Sequence, residues 1–314
     1  MSTHHILRGD VGTVHRGTFD AAIPAVLTMA SGDTVDVSTL SGNAVELPPS
    51  GSRFAVAPEH RRVLDQLPAG LGVHLMTGPI AVAGAMPGDE LAVEIVAMRL
   101  AQDWGWNMIK PGMGALPNDF DKPRHIHVPI DTERGVITMP WGLELKAAPF
   151  FGVIGVAPPP ADGPQTSIIP RAWGGNLDNK NFGAGAILHL PVFNPGGQLS
   201  VGDGHAVQGD GEVCVTAIET ALTGTLRVSL IKQTGIATPW AETATHLISM
   251  GMNEDLDQAA EFAVREMITL IRRHSPLSAE DAYTLCSVAA DVSVTQLVNV
   301  SKGVHVMLAK ALLK

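Results

Sequence analysis

Apolar residues in this chain recur mostly at every second position, and only near the end at helical spacing. Leu91, Val93 and Ile95 alternate with Ala92, Glu94 and Val96, directly after the turn signal Met86-Pro87-Gly88-Asp89. That spacing predicts a half-buried strand entered through a tight turn. From Val11 to about Leu100 the chain reads as strands and turns. The strand reading returns from Gly185 to Ile231, most clearly at Ala186-Ile187-Leu188 and at Val213 to Ile218. Between these stretches, Ala101 to about Ala161 is rich in Pro, Gly and Trp and holds few regular periods. A segment of that length inside a compact domain usually lines a site or a subunit contact.

The C-terminal part changes period. Leu256, Ala259, Ala260, Ala263, Met267, Leu270 and Ile271 fall on one helical face, with Asn253 placed to cap it and Glu254 and Asp255 suited to its first turn. A second helix is predicted from Ser278, which stands at capping-box spacing from Asp281 after the breaker Pro276. Val304 to Leu308 then reads as a closing strand. The fold class expected is mainly β, sandwich- or barrel-like, with a C-terminal helical pair, hence α+β. One unit spanning 1–314 fits this order; so do two packed subdomains, about 1–160 and about 161–314, the second carrying the helices.

Composition narrows the partners. The chain has 314 residues, 45% of them hydrophobic, which is ample for a core. With 21 Lys and Arg against 31 Asp and Glu the formal charge is −10, so nucleic acid is an unfavourable partner. No apolar run approaches bilayer length, which predicts no membrane partner. Met1 to Asp10 lacks the apolar core and cleavage pattern of an export leader. Cys214 and Cys286 are the only cysteines, which suits a reducing compartment, and the cytoplasm is the expected location.

The densest polar cluster is Gly202-Asp203-Gly204-His205-Ala206-Val207-Gln208-Gly209-Asp210-Gly211-Glu212. In extended backbone, Asp203 and His205 point to one side, as would Asp210 and Glu212. Carboxylate and imidazole converging in this way suit a divalent cation such as Zn²⁺. Gly-Asp-Gly is also a common turn, so Asp210 alone is divided evenly between turn and function. A turn does not need His205, Gln208 and Glu212 as well. The loop Trp173-Gly174-Gly175-Asn176-Leu177-Asp178-Asn179-Lys180 can again turn Asn176 and Asp178 one way, and gains weight as a partner of the first cluster.

Residues 202–214, Gly-Asp-Gly-His-Ala-Val-Gln-Gly-Asp-Gly-Glu-Val-Cys, resemble the signature of the acetamidase/formamidase family. Gly-Gly-Asn-Leu-Asp at 174–178, Thr-Gly-Pro-Ile-Ala-Val at 77–82 and Gly-Ala-Met-Pro-Gly-Asp-Glu-Leu at 84–91 support it, in order, from about Ser31 onward. The resemblance implies a mostly β fold, a homo-oligomer (dimer or higher), and hydrolysis of formamide- or acetamide-like substrates to carboxylate and ammonia. It also implies a divalent metal, Zn²⁺ first and Ca²⁺ as the other candidate, with no organic cofactor. Carried over by position, the site residues are Asn176, Asp178, Asp203, His205, Gln208, Asp210 and Glu212, with His74 before Thr77-Gly78-Pro79.

Each residue has an expected role. Asp178, Asp203 and His205 hold the metal; Glu212 moves the proton between water and leaving nitrogen; Gln208 and Asn176 bind the small amide, with His74 beside them. Asp210 orients His205, and Asp210 and Gln208 count with Glu212 among the catalytic group. A competing route uses Cys214 as nucleophile, sharing a strand face with Glu212 and assisted by a Lys; a small buried core residue is favoured for it. A third reading is a non-catalytic binding module or structural subunit. Outside the cluster, His125 and His127 read as solvated surface or subunit contact, His189 as a hydrogen-bonded core residue and His246 as a remote candidate. Trp104 and Trp106, flanking Gly105, suit a pocket wall or an interface anchor.

Overall fold

Alternating side chains bury one face of a strand, and here two large sheets bury theirs against each other. The computed structural model describes residues 2–313, so Met1 and Lys314, the outer ends of the leader and single-unit expectations, lie outside the described residues. One sheet has nine strands in the order His4–Leu7, Thr34–Ser38, Leu222–Ile231, Glu90–Leu100, Ile187–Pro191, Trp240–Glu242, His246–Asn253, Lys302–Ala309 and Asp291–Gln296. All its pairings are antiparallel except the first. The second sheet has eleven strands, and its centre is Leu199–Val207, which pairs with Phe150–Gly155, Ile218–Glu219 and Leu75–Val82.

Side chains from both sheets meet in one apolar layer. Val93, Leu188 and Leu226 of the nine-stranded sheet join Ile80, Val153 and Val201 of the other. This layer draws on residues from Leu7 to Met250, on both sides of position 160. The turn at Met86–Asp89 forms as expected, with Asp89 Oδ2 accepting from Met86 N at 2.8 Å. Leu91, Val93 and Ile95 are fully buried, while Val96 faces outward.

The helical pair covers the outer face of the nine-stranded sheet. Helix α2, Leu256–His274, buries Ala259, Ala263, Met267, Leu270 and Ile271, the face read from the sequence. It packs on His246–Asn253 and Lys302–Ala309, so Leu247, Val304, Val306 and Leu308 face the helix, while Ile248 and Met250 face the inter-sheet core. Helix α3, Ala279–Ala289, is capped by Ser278, whose hydroxyl accepts from Asp281 N. Its Ala282 and Cys286 join the same cluster.

Four expectations are corrected. The N-cap of α2 is Asp255, which accepts from Gln258 N at 2.9 Å; Asn253 sits just before it and accepts from Asp255 N. Pro58–Gln66, inside the part read as strands and turns, is a helix, α1, with Pro58 in its first turn and Val63 and His60 buried. Ala101–Ala161 is not irregular: it holds the strands Trp104–Ile109, Arg124–Asp131, Val136–Thr138, Glu144–Lys146 and Phe150–Gly155, whose shortness and Gly/Pro turns hide the period. Val213–Ala217 is a turn rather than a strand, because Glu212 (φ 44°) and Val215 (φ 104°) reverse the chain and pairing resumes only at Ile218–Glu219.

Among the described residues, no helix is long and apolar enough to cross a membrane. Where the strand Asp291–Gln296 ends, a parallel bridge links Gln296 to Gly211. Gly211 N donates to Thr295 O and Leu297 N to Gly211 O, both at 3.0 Å. The segment entering Glu212 is thereby tied to the strand that follows α3.

Candidate active site

Asp203 and His205 lie two residues apart on the strand Leu199–Val207, and their side chains do point the same way. His205 pairs in register with Glu219 on the neighbouring strand, which turns the Glu219 carboxylate toward the imidazole. From the other side, Gly174–Asn176 pairs with Phe150–Gly155, and the chain then bends so that Leu177 N and Asp178 N both donate to Gly152 O. That bend delivers Asp178. The turn after Gly209 delivers Glu212.

The result is one buried cluster. His205 Nε2 lies 3.2 Å from Glu219 Oε2, 3.3 Å from Asp203 Oδ2, 3.8 Å from Asp178 Oδ1 and 4.0 Å from Glu212 Oε1. His74 Nε2 stands 3.7 Å from Asp203 Oδ2, while its Nδ1 meets Ser167 Oγ. Asp178, Asp203 and Glu212 all have positive φ, between 44° and 54°. For residues other than Gly such backbone costs on the order of 1–3 kcal/mol each, and it is concentrated here at the site.

Space for the cluster comes from a missing side chain. A Cβ on Gly152 would sit 2.4 Å from Asp178 Oδ1, 2.7 Å from Asp203 Oδ2 and 2.8 Å from His205 Cε1. Glycine is required there because the carboxylates occupy the volume a methyl would need.

The hydrogen bonds fix the imidazole's orientation. Gln208 Nε2 donates to Asp178 O at 2.7 Å, so Gln208 Oε1 is left to accept from His205 Nδ1 at 2.8 Å. With Nδ1 engaged in this way, Nε2 is the nitrogen that faces the four carboxylates. His205 Nε2, Asp178 Oδ1 and Glu212 Oε2 are all buried without a hydrogen-bond partner. Such an array of acceptors repels itself without a cation among them.

Titration behaviour reflects the crowding. Burial, reinforced by Asp178, pushes the Glu212 carboxyl well above the usual range, and burial also raises Asp178. Burial lifts Glu219 to about 8 against the pull of His205. Burial would depress His205, but Glu219 and Asp203 hold it well above its ordinary value. Asp203 moves the other way: burial opposes ionisation, yet His74 and His205 draw its carboxyl down.

Asn299, in the loop after Asp291–Gln296, donates through Nδ2 to Asp178 Oδ2 and to Asn176 O. Asn176 Nδ2 donates to Ile168 O, which leaves its buried Oδ1 free of any partner. The cluster opens into a cavity of about 220 Å³, walled on one side by Asn176, Asp178, Asp203, Glu212 and Glu219.

The structure thus gathers Asp178, Asp203, His205, Glu212, Gln208, Asn176 and His74. It does not bring Asp210 in: Asp210 Oδ2 pairs with Lys180 Nζ at 2.9 Å on the half-exposed surface, and the bond to His205 expected of it is made by Gln208. Cys214 lies in the turn, not on a strand face with Glu212; its thiol meets Asn107 and Thr216, and Lys180 is engaged by Asp210. His127 Nε2 bonds Glu46 O, His246 bonds Thr245, and His189 is buried between Glu90 and Glu242 with its ring stacked on Trp240. Trp106 lines the cavity; Trp104 packs away from it, donating to Ala55 O.

Two participants escaped the sequence reading. Glu219 was detectable as a lone charge in an apolar run, Ala217-Ile218-Glu219. Asn299 carries no local signal, since only the chain's return from the helical layer brings it to Asp178.

Comparison with known proteins shows the family of the chain. The profile of the Acetamidase/Formamidase family matches residues 14–162 and 159–311. Formamidase of Methylophilus methylotrophus is 31% identical over a match covering 51% of this chain and 52% of that protein, so the chain spans about half the length of the curated relatives it matches. The crystal structure of an acetamidase from Bacillus halodurans superposes with a TM-score of 0.85 at 32% identity, covering 98% of both chains. That of a predicted acetamidase/formamidase from Thermoanaerobacter tengcongensis gives 0.86 at 30% identity, covering 100% of this chain and 98% of that one. The chain belongs to the acetamidase/formamidase family.

Proposed function

We propose that this protein hydrolyses primary amides to carboxylate and ammonia, with a divalent cation held by Asp178, Asp203 and His205 and flanked by Glu219. The observation that carries the reading is His205 Nε2, buried without a hydrogen-bond partner among four carboxylates. The donor set fits the ion: carboxylate oxygens suit any divalent cation, and an imidazole nitrogen favours Zn²⁺ over Ca²⁺. The space that Gly152 leaves open fits it as well.

A bound cation of this kind supplies a Lewis acid and can lower the pKa of water from about 15.7 to about 7. The remaining work falls to the chain. Gln208 holds the His205 ring through Nδ1, and because both ends of its amide are engaged it positions His205 and leaves the substrate to others. Asn176 Oδ1 accepts from the substrate's NH₂. Glu212 takes a proton as water oxygen bonds to the carbonyl carbon, then gives it to the nitrogen as the C–N bond breaks; its raised affinity for a proton suits both halves of that transfer. A homo-oligomer in the cytoplasm remains part of this reading.

The test is direct. Purified protein should release ammonia from formamide and acetamide and carry a stoichiometric divalent ion by elemental analysis. His205→Ala should lose both. An enzyme that keeps its turnover after His205→Ala, or after exhaustive chelation, would refute the metal-dependent reading.

A further inference from the structure

We infer that the site takes amides whose acyl group is apolar and several carbons longer than acetyl; this rests on the amide-hydrolase reading above. Formamide and acetamide have three and four non-hydrogen atoms. The cavity measures about 220 Å³, whereas one of about 150 Å³ lined by apolar side chains already holds benzene. A formyl or acetyl group would leave most of it to water.

The lining shows what fills the rest. Trp106 pairs in register with Glu219, so the two side chains stand side by side on one face of the sheet. Met108, two residues on along the same strand, continues that face about 6.6 Å from Trp106 and also lines the cavity. Leu40, Val73, Met113 and Val215 add apolar wall around them, with Asn43, Glu46 and Lys110 as polar members of the same lining. Trp106 Nε1 donates to Ser41 Oγ at 3.1 Å, so the indole meets its polar requirement within the wall itself and leaves its ring surface to apolar contact.

Orientation follows from the polar end. The amide nitrogen needs the proton from Glu212 and the free acceptor of Asn176, which places the C–N bond against the buried cluster. The group that runs out along Trp106 and Met108 is then the acyl chain and not an N-substituent.

The experiment is a chain-length series of primary amides, from formamide through acetamide and butyramide to hexanamide, with N-butylacetamide as control. Each buried methylene should raise kcat/KM about fourfold, so butyramide should exceed acetamide by roughly fifteenfold. Titration calorimetry of the products gives a readout free of turnover: butyrate should bind more tightly than acetate by a similar factor. Met108→Trp, which narrows the channel, should lower the butyramide-to-acetamide ratio toward one. Acetamide equal to or better than butyramide, with acetate and butyrate binding alike, overturns the inference while leaving amide hydrolysis standing. N-butylacetamide outpacing butyramide overturns the acyl assignment. No release of ammonia from any amide by metal-loaded protein ends both.

Discussion

Gly152 sets the spacing of the site more directly than any side chain in it, because its Cα faces three of the groups that must converge. Gly152→Ala would drive a methyl to within 2.4 Å of Asp178 Oδ1, and β-carboxylates held by their own hydrogen bonds cannot all retreat. Overpacking of this kind costs about 1–3 kcal/mol, and the expected outcome is a modest fall in Tm with loss of the proposed metal and of the proposed turnover. Elemental analysis beside a melting curve checks it. Asp210→Asn should behave oppositely: its partner Lys180 is half-exposed, so stability should change by less than about 1 kcal/mol in a denaturant titration and turnover should stay near the parent's. These two residues also mark how far the sequence could be read at this scale. Asp203 and His205 were legible because a strand's alternation puts i and i+2 on one side. Asp210 and Glu212 share that spacing but sit in a turn, outside any strand, where alternation does not apply. Glu219 and Asn299 arrive by strand pairing and chain return, which no local pattern encodes.

Elements show the same division. Helix α2 was readable because its apolar stripe is long and its partner strands have β periodicity; what the stripe does not reveal is how closely the backbones approach. A Cβ on Gly251 would lie 2.0 Å from Ala259 O and 2.5 Å from Ala263 N, both on α2. Since those atoms are backbone, Gly251→Ala should push the helix off the sheet and destabilise the fold by about 2 kcal/mol or more, measurable by urea unfolding. At the opposite edge of that sheet, Asp33 ties the first strands together. Backbone N–H of Thr3, then the His5 side chain and Ala30 N–H, hold its carboxyl down at about 2 from an ordinary 3.8. A folded-state value below the unfolded one means the stabilisation is full above pH 3.8 and is lost as pH falls through about 2. The stability difference between the parent and Asp33→Asn should therefore be greatest near neutrality and shrink across that window. A difference independent of pH would show that the ionised form is not what the contacts favour.

For the molecule as a whole, the site lies where the parts of the chain meet. His74, Asp178, Asp203, Glu212, Glu219 and Asn299 come from well-separated segments, so the cation proposed here would bind the folded chain and not the unfolded one. At a hundredfold excess over Kd such binding adds about 2.7 kcal/mol, and removing it with a chelator should lower Tm by roughly 5 °C, reversibly, in a calorimetric scan. A Tm indifferent to chelation would mean that protons alone neutralise the cluster. The class, mainly β with a helical pair near the C-terminus, followed from the sequence because it depends on periodicity; that the pair covers one outer face of a sandwich did not. The strands of Ala101–Ala161 did not either: Val136–Thr138 and Glu144–Lys146 have too few residues to show alternation, and Phe150–Gly155 is buried on both faces and does not alternate.

The bond pair joining Gly211 to Thr295 and Leu297 fastens the approach to Glu212 onto the strand behind α3. Since Asn299 steadies Asp178 from the same loop, two acids of the site take their positions from a segment anchored by α3 and its strand. Substitutions on the far, solvent-facing side of the helices, remote from any reacting atom, should thus register first as slowed catalysis in protein that still melts cooperatively. Enzyme rate becomes a strain gauge for how firmly the helical roof is seated.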